Sequence, residues 1–143
     1  MVIIVDTREQ KPLEWSTVET RRATLHTGDY SVEGYEDSFT IERKSLDDLI
    51  GSLTAGRERF LRECERMEKF YFKRILVVGS YIDMVKGRYR SKAHPNSIIG
   101  SLYSIEARHN IPVAWAANPN IAAHIVMNWA KWFVDEHRKQ CPF

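Results

Sequence analysis

The order of apolar and polar positions divides the chain into a strand-rich first third and a remainder in which strands alternate with helices. Val2 to Val5 is an unbroken β-branched apolar run ending at Asp6, the pattern of a strand covered on both faces. Thr7 to Ser16 contains Pro12 and reads as a loop, and Thr17 to Leu25 as a strand or an irregular extended piece. Gly28 to Gly34 and Ser38 to Lys44 read as two strands joined by a turn around Gly34, Glu36 and Asp37. Ser45 suits an N-cap and Asp48 follows at capping-box spacing, so a helix is expected from there to Leu53. Thr54-Ala55-Gly56 breaks it. A second helix is expected over Arg57 to Phe72, with Phe60, Leu61, Cys64, Met67 and Tyr71 on one stripe. Ile75 to Val78 is another buried-strand run, and Ser80 with Asp83 opens a short helix to Val85. Pro95 starts a helix that turns Ile98, Ile99, Leu102 and Ile105 inward and ends at His109. Ile111 to Ala116 is a third apolar strand. Asn118-Pro119 opens a last helix whose stripe is Ala122, Ile125, Val126, Trp129 and Phe133.

This order predicts an α/β fold, a central mixed sheet with helices on both faces. Its alternating half should be parallel, with right-handed crossovers. The length of 143 residues suits one domain over residues 1–143, and 43% hydrophobic residues exclude global disorder. A net charge of +2 neither demands nor excludes a nucleic acid, so local clusters must decide. No apolar run approaches the roughly 18 residues of a membrane span, so no membrane partner is expected. The N-terminus lacks a secretory pattern, and the 2 cysteines, Cys64 and Cys141, are too few for a disulfide framework. The expected setting is cytoplasmic, at the nucleoid if the source is prokaryotic or a phage. His26, His94, His109, His124 and His137 show no ligand spacing, so zinc is not expected and nearly all should lie on the surface.

Charged residues gather where strands end. Asp6 closes the first strand, Asp29 follows Gly28, and Glu42 and Lys44 close another strand two residues apart. Residues i and i+2 of a strand share a face, so Glu42 and Lys44 project together while Arg43 points away. Two carboxylates from neighbouring strands beside a lysine make a hard-oxygen site for magnesium or manganese. A lysine there can orient or help deprotonate a water, or neutralise charge on a phosphate. The plainer account is a set of strand-end charges facing solvent, since a three-residue pattern is common by chance.

The surroundings change those odds. Val5-Asp6-Thr7-Arg8-Glu9, Gly28-Asp29-Tyr30, the run Ile41-Glu42-Arg43-Lys44-Ser45-Leu46-Asp47-Asp48 through Leu53, and Gly56-Arg57 resemble the nuclease domain of the XPF (xeroderma pigmentosum group F) type. The signature of that family is GD, a variable gap, then ERK, three residues and D. It is complete here from Gly28-Asp29 to Glu42-Arg43-Lys44 and Asp48. The resemblance covers residues 2 to 60 with specific motifs and thereafter rests on the order of elements. It implies a restriction-endonuclease-like core of the PD-(D/E)XK superfamily, and a magnesium- or manganese-dependent endonuclease cutting branched, flapped or forked DNA in repair or recombination. Residue by residue, it implies that Asp29 and Glu42 are metal ligands, joined by the backbone carbonyl of Arg43. Lys44 becomes the catalytic lysine, and Asp6 a first-strand acid needed for activity, at a second metal. Arg8, Arg43 and Asp48 become further signature positions around the site, Arg8 as a DNA contact.

Family members usually continue into a tandem helix-hairpin-helix domain, which dimerises and grips DNA. With no such module here, the chain is expected to be a short stand-alone protein, and an accessory protein is a candidate source of DNA affinity. Two other readings stay open: a non-catalytic DNA-binding partner subunit, and a nuclease acting on RNA or unbranched DNA. Intact Asp29, Glu42 and Lys44 argue against the first.

Each position also has a structural account. Asp48 sits where a capping acid belongs, Arg43 could pair with Asp47 or Asp48, Arg8 could be a solvated loop residue, and Asp6 could cap a turn. Lys86 to His94 carries Lys86, Arg88, Arg90 and Lys92 with no acid, and interleaves Tyr89. Such a loop can neutralise DNA phosphates while the ring stacks on a base or packs on an arginine. The second helix mixes arginines with Glu58, Glu63, Glu65 and Glu68, and reads as a salt-bridged outer face; only Arg57 is assigned to a phosphate. Trp132 and Val134 fall outside the core stripe of the last helix and Phe143 ends the chain, so a homodimer built on that helix is expected.

Overall fold

Val2–Asp6 (β1) forms inside a six-stranded sheet, and its apolar run is buried as its composition predicts. The computed structural model describes residues 1–140. The other strands are β2 (Glu19–Ala23), β3 (Tyr30–Val32), β4 (Phe39–Ser45), β5 (Phe72–Val78) and β6 (Val113–Ala116). The helices are α1 (Leu46–Leu53), α2 (Arg57–Met67), α3 (Tyr81–Val85), α4 (Pro95–His109) and α5 (Pro119–Gln140). The sheet order is β2-β1-β3-β4-β5-β6. β1 runs antiparallel to β3 and β3 antiparallel to β4, while β4, β5 and β6 are mutually parallel. This is the mixed α/β sheet expected, parallel in its alternating half.

The pleat divides the core. Ile75 and Val77 of β5 face one way, into a cluster with Leu49, Leu53, Phe60, Met67, Met84, Ile98 and Leu102 of the four shorter helices. Leu76, between them, faces the other way with Phe39, Ile41, Val126 and Phe133, under α5. The strand alternation therefore carries α1 and α2 on the face to which Glu42 and Lys44 belong.

Three expectations fail locally, and one histidine is the exception to a surface placement. The second helix ends at Met67, because Phe72 joins β5 and stacks on Phe39 at 4.7 Å; Tyr71 is left 71% exposed. His109 is buried at the end of α4, with Nδ1 2.5 Å from Glu68 Oε1. Val134 is buried under the sheet, so only Trp132 of the residues held back for a dimer is an exposed apolar side chain of α5. Cys141 and Phe143 lie outside the described residues. Tyr89 neither stacks outward nor packs on an arginine: it packs against the helical core and donates its hydroxyl to Ala93 O at 2.6 Å.

Candidate active site

Alternating strand direction brings the carboxylates together. β1 ends, β3 begins and β4 ends on the same edge of the sheet, so Asp6, Asp29 and Glu42 arrive there from three adjacent segments. Gly28 makes this approach feasible. Its φ is +81°, and a Cβ there would collide with Thr40 Oγ1 and come within 3.1 Å of Ile41 O. The Asp29 N–H then donates to Ile41 O at 2.8 Å, and its own Oδ2 accepts the Arg43 N–H at 2.8 Å. The glycine–aspartate pair thus fixes one carboxylate against the backbone of the strand that carries the other.

Glu42 and Lys44 do share a face. Lys44 Nζ lies 3.4 Å from Glu42 Oε1 and 4.9 Å from the centre of the Phe60 ring, with both charged side chains largely buried. Arg43 turns to the opposite side. It does not pair with Asp47 or Asp48; its guanidinium donates to Lys11 O at 2.8 Å and lies 3.3 Å from Glu9 Oε2.

Asp6 is fully engaged. Arg8 Nε donates to its Oδ2 at 2.8 Å and the Leu25 N–H to its Oδ1 at 2.9 Å. Burial opposes the ionised carboxyl, but the Arg8 and Leu25 hydrogen bonds hold its pKa below the ordinary carboxylate value. In this arrangement Asp6 braces Arg8, whose guanidinium also meets Leu25 O at 2.8 Å, rather than offering a free oxygen to a second metal.

The cleft in front of these residues has a volume of about 540 Å³. One wall is α2, which contributes Glu63, a residue that the sequence assigns to a salt-bridged outer face. Glu63 stands close enough to Glu42 to raise its pKa. Its position one turn after Arg59 and Phe60, beside the buried stripe of Phe60, Cys64 and Met67, is the sequence-level signal for this. Burial, with Glu9 and Glu63 nearby, raises the Asp29 pKa to about 7 despite the Arg43 N–H and Lys44. Burial also raises Glu42 well above the usual range, reinforced by Glu63 and Asp29. A half-buried Asp29 and a buried Glu42 that resist ionising side by side are a donor set that a divalent cation would satisfy. Among the described residues no group of three or more Asp, Glu, His or Cys side chains is placed to hold a metal.

Asp48 lines the same cleft and is exposed. Half of the expected capping box forms: Ser45 Oγ accepts the Asp48 N–H at 3.1 Å. That bond uses the backbone of Asp48, not its carboxylate. Ser45→Ala should cost about 1 kcal/mol of stability in urea unfolding, whereas Asp48→Ala should keep its N–H donor and unfold like the parent.

The DNA-contact candidates separate. Arg57 turns away from the cleft and donates to Ser101 Oγ at 3.0 Å. Arg90 is tethered beside the cleft, its N–H donating to Asp47 Oδ1 at 3.0 Å. Arg88 pairs loosely with Asp83 at 3.4 Å, and Lys92 is exposed.

The ERCC4 domain family matches residues 5–128. A Methanocaldococcus jannaschii protein named as an ATP-dependent RNA helicase is 26% identical over 133 residues, 90% of this chain and 15% of that one. The DNA repair endonuclease XPF of Drosophila melanogaster is 35% identical over 81 residues, 53% of this chain and 8% of that protein. The chain therefore spans a small part of the length of these relatives. XPF from Aeropyrum pernix, solved in complex with DNA, superposes with a TM-score of 0.74 at 23% identity, covering 94% of this chain and 66% of that one. That likeness shows the same fold.

Proposed function

The chain belongs to the ERCC4 domain family, and from that premise we propose that it is a divalent-metal-dependent endonuclease acting on branched, flapped or forked DNA in repair or recombination. The observation that carries this reading is the Asp29–Glu42 pair beside Lys44. A relative named as a DNA repair endonuclease and an XPF solved with DNA support DNA as the substrate, and the hard oxygen donors favour magnesium or manganese.

Asp29 and Glu42 would hold the cation, with the backbone carbonyl of Arg43 as a third donor. A cation held there would supply a bound water of lowered pKa and polarisation of a phosphodiester oxygen. Lys44 stands at the mouth of this pair, 3.4 Å from Glu42 Oε1, where it can orient the attacking water or offset charge developing on the phosphate. The Asp29 bond to the Arg43 N–H fixes the spacing between the two strands, so the carboxylates are positioned before any ligand arrives. The test is a panel of flap, fork, Holliday, duplex and single-stranded substrates in DNA and RNA. Preferential cutting of branched DNA is expected. Equal cutting of linear duplex or of RNA would replace the substrate class, and binding without cutting would favour the non-catalytic partner subunit.

A homodimer is part of the same proposal. Trp132 is 57% exposed, and with Tyr71, Phe72, Trp129 and Phe133 it lines an apolar surface hollow. A second copy would cover that surface, and Trp132→Glu should leave a folded monomer. Sedimentation at micromolar concentration checks it, and a single-chain mass for the parent at every concentration rejects it.

A further inference from the structure

The wall of the cleft facing the strand ends is α2, and its charges look like a self-paired solvent face. They are not paired that way. Among the described residues, Glu68 meets His109, and Arg59, Arg62 and Arg66 have no carboxylate within ion-pair distance. Arg59, Glu63 and Arg66 stand at i, i+4 and i+7, one stripe of the helix. That stripe lines the same cleft as Asp29, Glu42 and Lys44. Both arginines are exposed. Along the axis they are separated by about 10 Å, at about 1.5 Å per residue, with Glu63 between them.

A strand of nucleic acid entering this cleft meets an electrostatic problem. Asp29, Glu42 and Glu63 repel phosphate, and the cation closest to them, Lys44, is already engaged by Glu42. Approach becomes favourable when cations neutralise the phosphates on either side of the one presented to the carboxylates. Arg59 and Arg66 flank the acidic centre and are free to do so. Arg8 projects from the opposite wall, 69% exposed, with its guanidinium oriented by Asp6. We propose that Arg59 and Arg66 form a phosphate-binding rail that seats the DNA strand across the cleft. The rail rests on the nuclease reading above and adds the binding surface that reading lacks.

The test is fluorescence anisotropy with flap DNA over a salt series in EDTA, so that binding is measured without cutting. Arg59→Gln/Arg66→Gln should flatten the plot of log affinity against log salt by about 1.4 units if the rail grips single strand, and about 1.8 units if duplex. Arg62→Gln changes an exposed arginine on the same helix outside the cleft lining, and should keep the parental slope. An unchanged slope in a double variant with parental circular dichroism overturns the rail. So does an equal loss in Arg62→Gln, because diffuse helix charge would then explain both. A parent that cuts DNA while the double variant keeps its slope sinks the rail alone; a parent that binds through these arginines but never cuts sinks the nuclease reading alone.

Discussion

Lys44→Ala should slow DNA cleavage on the order of 10²–10⁴-fold, the usual contribution of a positioned proton-transfer or charge-stabilising group. Asp29→Asn should do at least as much, because it removes one of the two carboxylates that define the site. Neither change should weaken DNA binding measured in EDTA. Lys44 is largely buried against Glu42 and Phe60, and removing the charge of Asp29 makes the cleft less repulsive to phosphate. Gel-based cleavage beside anisotropy separates the two effects. Cleavage rates within a few-fold of the parent in both variants would move the chemistry away from this cleft.

The second large effect is a stability that responds oppositely to pH and to metal. Asp29 keeps its proton to about pH 7 when folded, against 3.8 as the ordinary value. Between those values the folded chain binds the extra proton, so stability falls as pH rises. The slope is at most about 1.4 kcal/mol per pH unit for each such group. Glu42, raised by burial and by Glu63, acts with the same sign. A divalent cation competes with those protons, so it should stabilise strongly at pH 8 and weakly at pH 5. At about a hundred times its dissociation constant it adds about 2.7 kcal/mol, roughly 5–10 °C in Tm for a chain of this size. Calorimetry with manganese at both pH values checks this. An equal shift at pH 5 and pH 8, or an undiminished one in Asp29→Asn, would place the ion elsewhere.

The sheet was legible in the sequence because its signals are local and strong. Val2–Val5 and Ile75–Val78 announce buried strands and Ile111–Ala116 an apolar one, and Ser45, Ser80 and Pro95 sit at helix starts where their side chains or fixed φ belong. The i, i+2 rule placed Glu42 and Lys44 on one face and Arg43 on the other. What failed depends on packing partners far along the chain. Phe72 leaves the helix pattern because Phe39, Trp129 and Phe133 offer it a ring stack. Arg57 finds Ser101, and Arg43 finds Glu9, across segments that spacing does not relate. Glu63 was hidden for the same reason. On α2 it is one glutamate among several, and only the way the helix lies over β4 turns it towards Glu42.

The most direct measurement is cleavage of one flap substrate by the parent chain in magnesium, manganese, calcium or excess EDTA. Magnesium and manganese should support cutting, calcium should support little because a larger, more loosely organised coordination shell fits the reaction poorly, and EDTA should abolish it. Cutting that continues undiminished in excess EDTA would contradict a metal centre built on Asp29 and Glu42.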